Sequence, residues 1–408
     1  MTHDAPQTGL LTTGRDEAAS ADLDALFAQI AEGASERERE RILPFEQLAS
    51  LRAARFGAYR LPVESGGTGS SLEQLFEKIL ALAEADSNVA HILRNHFVFV
   101  ERFARHPDTP QARVWQQRVA EGAIFGLANT ELAKARSGAP SVTRLTREGD
   151  HYRLNGVKFY STGSLFSDFV IVRARDDADR AVTAIIPADR DGVTLEDDWD
   201  AAGQRLTGSG SSRFENVRVE AEEVIVDDEG KGYGRAYKST LPQLFLTAVN
   251  TGILRAILRD ARALIHQRSG KAFFFAAADT PAQDPLLLKS VGELSAQVFA
   301  AETTVLSAAR AQDVALAADI ADSDLKAKAH AAAVQAAKAK VIVDDYVLRA
   351  GNVLFDLGGA SSTQRSHNLD RHWRNARTVA SHNPAQYKAL ALGNLELNDI
   401  PLPDKDFF

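Results

Sequence analysis

The chain has 408 residues, of which 45% are hydrophobic and 25% charged, a composition of packed globular proteins that excludes a disordered or fibrous chain. Its 47 basic and 55 acidic residues give a net charge of -8, so there is no general attraction for phosphate backbones or anionic bilayers, and neither a nucleic-acid nor a membrane partner is expected. Without cysteine there can be no disulfide framework, thiolate metal site or cysteine nucleophile, which fits a cytoplasmic protein, and the single methionine is Met1.

Residues 1–20 are polar and threonine-rich, lack the basic start and apolar stretch of a signal peptide, and read as a mobile tail. No apolar run reaches the ~18 residues that span a bilayer. From 21 to 122 the pattern is helical. Ser71 and Gln74 have capping-box spacing, and Leu72, Leu75, Phe76, Ile79, Leu80 and Ala83 then recur on one helical face. The glycines at 66, 67 and 69 precede that helix as a loop and lack the lysine of a P-loop.

The period changes near Ile124, and 123–234 reads as a β domain. Turn signals stand at Glu148-Gly149-Asp150 and at Asn155-Gly156, the second expected to close a hairpin; apolar runs follow at 169–172, 182–186 and 214–219. Short strands without helical crossovers predict an antiparallel sheet or small barrel. The glycine-rich 230–234 has the wrong spacing for a dinucleotide fingerprint and reads as a connecting loop, so no NAD(P)H unit is expected. From 235 to 395 the helical pattern resumes, alanine-rich at 327–340, as a tightly packed bundle, with 396–408 as a C-terminal tail.

Three groups of residues carry potential chemistry. His91 and His96 are five apart, too far round a helix to chelate a metal side by side, and read either as hydrogen-bonded core histidines or as lining a pocket. Asn129-Thr130 and Tyr160-Ser161-Thr162-Gly163 are polar loop residues that suit either turn chemistry or the edge of a planar heteroaromatic ring. The stretch 370–377, followed by Ser381-His382-Asn383-Pro384, reads as a salt-bridged helix end or as a pocket edge with a titratable group before a proline.

Leu61-Pro62 with Ser65-Gly66-Gly67, the segment Gly156 to Gly163, and Gly203-Gln204-Arg205 with Thr207, Ser209 and Gly210 resemble the acyl-CoA dehydrogenase fold, over about residues 22–395. The resemblance implies a mainly α chain with a central antiparallel β domain: a helical N-terminal domain, a sheet or barrel in the middle, and a four-helix bundle. Where dehydrogenases of the commonest type carry a glutamate base, the alignment puts Asn383, and an amide cannot accept a proton at neutral pH. The run Asp370-Arg371-His372-Trp373-Arg374-Asn375-Ala376-Arg377-Thr378 with His382-Asn383-Pro384 is instead similar to the reduced-flavin monooxygenases of this fold, including dibenzothiophene monooxygenases and sulfur-acquisition oxidoreductases.

That resemblance implies reduced FMN from a separate flavin reductase, with FAD as the alternative, and O2, with a C4a-hydroperoxide oxygenating a small sulfur- or nitrogen-containing substrate. It implies catalytic roles for His382, His91 and Thr162, with His382 and His91 as proton donors. Asn129, Thr130, Tyr160, Ser161, Thr162, Gly163 and Trp199 would contact the cofactor, while Lys271 and Ser361 replace arginines common in the desulfurising relatives. It also implies a homotetramer built as a dimer of dimers, with sites completed by a neighbouring subunit. An FAD-dependent acyl-CoA dehydrogenase with its base elsewhere, and a binding protein without catalysis, are the rival readings.

Overall fold

The computed structural model describes residues 13–105, 107, 109–132, 142–226, 236–268, 270, 273–317, 323–404 and 408, with backbone alone for 13–21. The first part holds helices α1 (Thr13–Ala31), α2 (Ala34–Glu40), α3 (Phe45–Ala53), α4 (Leu72–Ala85), α5 (Ser87–Ile92), α6 (Arg94–Phe99) and α7 (Pro110–Ala120). Residues 13–20, expected in the tail, therefore lie in a helix; the rest of that expectation lies outside the described residues. The capping box before α4 forms as the spacing dictates: Ser71 Oγ accepts from Gln74 N at 3.1 Å, and Gln74 Oε1 accepts from Ser71 N at 2.8 Å.

The middle part is one sheet of eight strands: β1 (Phe125–Ala128), β2 (Arg144–Glu148), β3 (His151–Lys158), β4 (Phe169–Asp176), β5 (Ala181–Pro187), β6 (Val193–Leu195), β7 (Ser212–Glu220) and β8 (Val224–Val226). Its order is β6-β7-β3-β2-β4-β5-β8, with β1 on β4. The sheet is mixed, whereas an antiparallel one was expected: β1 and β2 both run parallel to β4 at opposite ends of it, and the other pairings are antiparallel. The hairpin falls at the first turn signal, where Glu148 pairs with His151 across Gly149-Asp150, and Gly149 takes φ +66°. Asn155-Gly156 lies inside β3. There the register against β7 shifts, and Asn155 Oδ1 accepts from Asn216 N at 2.8 Å, so the second turn signal is a bulge.

The last part holds α8 (Thr240–Gln267), α9 (Pro285–Ala317), α10 (Leu325–Gly358), α11 (Asp370–Ser381) and α12 (Ala385–Asn398). Among the described residues only α8 is long and apolar enough to cross a bilayer, and 83% of that window is buried inside the protein, as in a core helix. The glycine-rich 230–234 lies outside the described residues. Helix α12 continues past the expected boundary at 395, and Leu402 packs back onto the bundle, with its carbonyl accepting from Tyr237 Oη at 3.1 Å.

Two apolar clusters bind the three parts into one unit. Leu75, Phe76 and Ile79 of α4 share a core with Leu244, Phe245 and Val249 of α8 and with Val305, Ala308 and Val343 of α9 and α10. At Gly252 on α8 a Cβ would stand 2.4 Å from Ala83 Cβ, so that crossing requires a glycine. The other face of the N-terminal part packs Phe99 and Trp115 against Phe125 of β1, Ile171 of β4 and Ile185 of β5; Phe99, Phe125 and Phe169 stack with centroids 4.1 and 5.1 Å apart.

Candidate active site

Helices α5 and α6 are short and buried along their whole length, yet the run contains His91, Arg94, Asn95 and His96. Asp86 starts it by accepting from Asn88 N at 3.0 Å while pairing with Arg37 at 3.1 Å. His96 is a satisfied core histidine: its Nε2 lies 2.9 Å from Gly57 O and its Nδ1 accepts from Phe125 N at 3.3 Å. His91 faces the other way. Its Nδ1 lies 3.0 Å from Gln204 Oε1, and its buried Nε2 has no partner among the described residues. Such an orphaned atom costs free energy unless a ligand satisfies it.

The loop after β6 brings Gln204 to this helix pair. Gln204 Nε2 donates to Ser87 Oγ at 3.1 Å, its carbonyl accepts from Trp199 Nε1 at 2.9 Å and from Thr207 Oγ1 at 2.9 Å, and its N–H donates to Asn375 Oδ1. From Thr207 a hydroxyl chain runs through Ser209 to Thr162, with steps of 2.7 and 2.8 Å. Thr162 O in turn accepts from Asn95 Nδ2 at 3.0 Å. The turn after β3 is held close: Gly163 takes φ +83°, and a Cβ there would stand 2.6 Å from Ile92 O. Within this turn Ser161 Oγ and Ser164 Oγ are buried without a partner among the described residues.

His382 follows the last turn of α11 and is exposed, with Arg94 Nη1 3.2 Å from its Nε2. Protein packed round the ring and then the Arg94 charge hold it well below the ordinary value of 6.5. Because the residue keeps an open edge to water, the charge of the adjacent guanidinium is the firmer cause. Burial pushes His91 down to about 3, with Arg94 adding to the effect and the Gln204 contact opposing it; burial pushes His96 down to about 4. Both rings are neutral at pH 7.

The arginines of the C-terminal polar stretch are tethers. Arg374 clamps Glu38 of α2, which is 2% exposed and also accepts from Asn368 Nδ2 at 2.7 Å, while Arg371 and His372 both meet Asp260 Oδ2, at 2.7 and 2.8 Å. A cavity of about 420 Å³ lies behind the network, lined among others by Ser87, Asn88, His372 and Asn375; it does not reach His91, Thr162 or His382.

The structure thus gathers His91, Ser161, Thr162, Gly163, Trp199 and His382 around Gln204 and Arg94. Tyr160 joins them by an edge-on contact with Trp199, centroids 5.9 Å apart, and adopts φ +57°. Thr130 is bridged to Phe159 through a 2.8 Å backbone bond, which brings Asn129 alongside; Lys158 Nζ donates to Asn129 O and to buried Glu131. Ser361 is not brought in. It is exposed beyond the end of α10 and precedes α11, whereas His382 follows α11, a helix about 18 Å long at 1.5 Å per residue. Lys271 lies outside the described residues. Sequence reading missed Arg94 and the part played by Gln204; the four polar residues His91, Arg94, Asn95 and His96 inside the otherwise apolar stretch 89–99 were the available signal for the first.

Among the described residues no group of three His, Cys, Asp or Glu could hold a metal. The orphaned Ser161, Ser164 and His91 atoms, beside glycines that leave no room for a Cβ, fit a flat polar heterocycle such as a flavin ring.

Residues 126–217 match the acyl-CoA dehydrogenase middle domain, and residues 244–387 match the acyl-CoA dehydrogenase C-terminal domain. A probable FMNH2-dependent monooxygenase SfnC of Pseudomonas putida is 30% identical over 92% of this chain and 93% of its own length. A dibenzothiophene monooxygenase of Mycolicibacterium goodii is 28% identical, covering 90% and 91%. The crystal structure of TdsC from Paenibacillus sp. A11-2 with FMN and indole superposes with a TM-score of 0.85 at 27% identity, over 95% of this chain and 100% of that one.

Proposed function

Since the chain belongs to the acyl-CoA dehydrogenase superfamily, in its branch of FMNH2-dependent monooxygenases, we propose that it inserts one atom of O2 into a small sulfur-containing compound, using reduced FMN delivered by a separate reductase. The FMN-bound relative, the probable FMNH2-dependent monooxygenase and the dibenzothiophene monooxygenase support this reading. The observation that carries it is the orphaned, buried polar set of His91 Nε2, Ser161 Oγ and Ser164 Oγ beside the Arg94–His382 pair.

Bound reduced FMN supplies the two electrons and protons with which one oxygen atom enters the product and the other leaves as water. The chain's own groups bind and orient. Ser161, Thr162, Ser164 and the Asn129-Thr130 loop would hold the ring, with Tyr160 and Trp199 flanking it. His382 is aimed by Arg94: a guanidinium only donates, so Nε2 accepts from it and Nδ1–H is left to donate a hydrogen bond to a reacting oxygen.

The reading also includes a homotetramer in which Ser361 serves a neighbouring subunit's site, nitrogen compounds as a second substrate class, and a cytoplasmic location beside the reductase. Turnover with a flavin reductase, NADH and a panel of sulfur and nitrogen compounds tests it, with product masses expected to rise by one oxygen. Bleaching of bound FAD by an acyl-CoA without oxygen would instead establish a dehydrogenase.

A further inference from the structure

Gln204 is 1% exposed, holds a left-handed backbone at φ +53°, and has every polar group engaged. Its backbone is fixed from α11 by Asn375 and from its own loop by Trp199 and Thr207. The amide then spans two groups of α5: Nε2 donates to Ser87 Oγ at 3.1 Å, and Oε1 faces His91 Nδ1 at 3.0 Å. An amide oxygen only accepts, so His91 Nδ1 must bear the hydrogen. A neutral imidazole has one N–H, and the other nitrogen is left with a lone pair. That nitrogen is the buried Nε2 that no described residue satisfies.

We propose that Gln204 is a positioning residue that locks His91 in the Nδ1–H tautomer, so that His91 offers its ligand an acceptor and never a proton. The neighbourhood favours this arrangement. Burial and the nearby Arg94 charge both disfavour a second proton on His91, so the ring stays neutral and carries a single N–H. The ligand group that matches Nε2 is therefore a hydrogen-bond donor, such as a ring N–H of reduced flavin. The expected role of His91 as a second proton donor is replaced by one of holding, and of the two histidines only His382 keeps an N–H, at Nδ1, to offer as a hydrogen bond to a reacting oxygen. This deepens the flavin reading and rests on it for the identity of the donor, but the tautomer itself does not.

The test uses the full-length protein with histidine labelled in 15N, first without flavin. Long-range 1H–15N spectra distinguish Nδ1–H from Nε2–H rings, and the His91 signal is identified by its loss in His91→Asn. The wild-type signal is expected to show Nδ1–H at pH 7. Gln204→Glu, which keeps an acceptor oxygen, should retain that pattern; Gln204→Met, which removes it, should shift His91 toward Nε2–H. A milder variant, Ser87→Ala, frees the amide to turn and should move part of the population the same way. In anaerobic titrations reduced FMN should bind about tenfold more weakly to Gln204→Met, the loss of one hydrogen bond to a charged or aligned group, with Gln204→Glu restoring it. An Nε2–H ring in the wild type, or an Nδ1–H ring that persists in Gln204→Met and Ser87→Ala, overturns the proposal. Failure of wild-type protein to bind reduced FMN with the Nδ1–H ring intact would overturn the flavin reading alone.

Discussion

Arg94 Nη1 lies 3.2 Å from His382 Nε2, so the histidine at the end of α11 is held as an acceptor by a buried cation from α6. The cation depresses the affinity of the ring for a second proton. Replacing it with an apolar side chain of similar length removes that effect, and the pKa must rise. In 1H–13C spectra the His382 signal of the wild type should stay flat as pH falls from 8 to 5.5. In Arg94→Met it should move with a midpoint nearer the ordinary value of about 6.5. A ring that titrates near 6.5 in the wild type would show that the pair does not form.

The same pair sets the outcome of turnover. His382→Ala deletes the Nδ1–H hydrogen-bond donor and should lower product formation by about 100-fold, the lower end of the range for loss of one preorganised donor. NADH consumption should continue, diverted to hydrogen peroxide. Product per NADH and peroxide per NADH, measured together, decide the point: an unchanged ratio removes His382 from the chemistry.

His91 and His96 sit neutral in the fold, down at about 3 and about 4, whereas in the unfolded chain both take up a proton near 6.5. Because the unfolded state binds more protons below 6.5, stability is full above that pH and falls as pH drops toward the folded values. The loss is on the order of 2 kcal/mol per ring by pH 5. Chemical denaturation of the wild type at pH 7.5, 6, 5.5 and 5 should show midpoints that fall steadily. In His96→Gln, which starts lower through its lost packing, the fall should be shallower by about a quarter, since His372, also down at about 4, and His382 contribute in the same direction.

Gly163 occupies a left-handed conformation with Ile92 O where a Cβ would go. Gly163→Ala must push the Ser161–Ser164 turn away from α5. A destabilisation of about 1–3 kcal/mol is expected, with weaker binding of reduced FMN. Thermal unfolding with and without reduced FMN reads both, and an unaltered ligand-induced shift would separate the turn from the cofactor site.

Much of this was written locally in the chain. The Ser71–Gln74 cap, the stripe through Leu72 to Ala83 and the strands at 169, 182 and 214 are short-range signals, and each forms where it stands. Asn155-Gly156 misled because its dipeptide preference is satisfied equally by a bulge, and the two-residue turn at Gly149-Asp150 had already reversed the chain. The parallel pairings of β4 are long-range, and no single strand announces them. At the site, Thr162 and His382 were visible as polar groups next to turns. Arg94 and Gln204 matter through partners 288 and 113 residues away in sequence, a relationship that periodicity does not encode.

Helix α11 holds Gln204 through Asn375 and carries His382 at its end, while α5 and α6 supply the residues those two address. Chimeras that exchange the stretch 125–226 with a relative would transplant the Ser161–Ser164 turn and Gln204 together but sever both from their native anchors. Such hybrids should be poorly coupled unless Ser87, His91 and Asn375 travel with the insert, even where the packing of Phe99 and Trp115 on the new sheet is kept. The useful crossover points in this protein are therefore set by a hydrogen-bonded amide and not by the apparent domain borders.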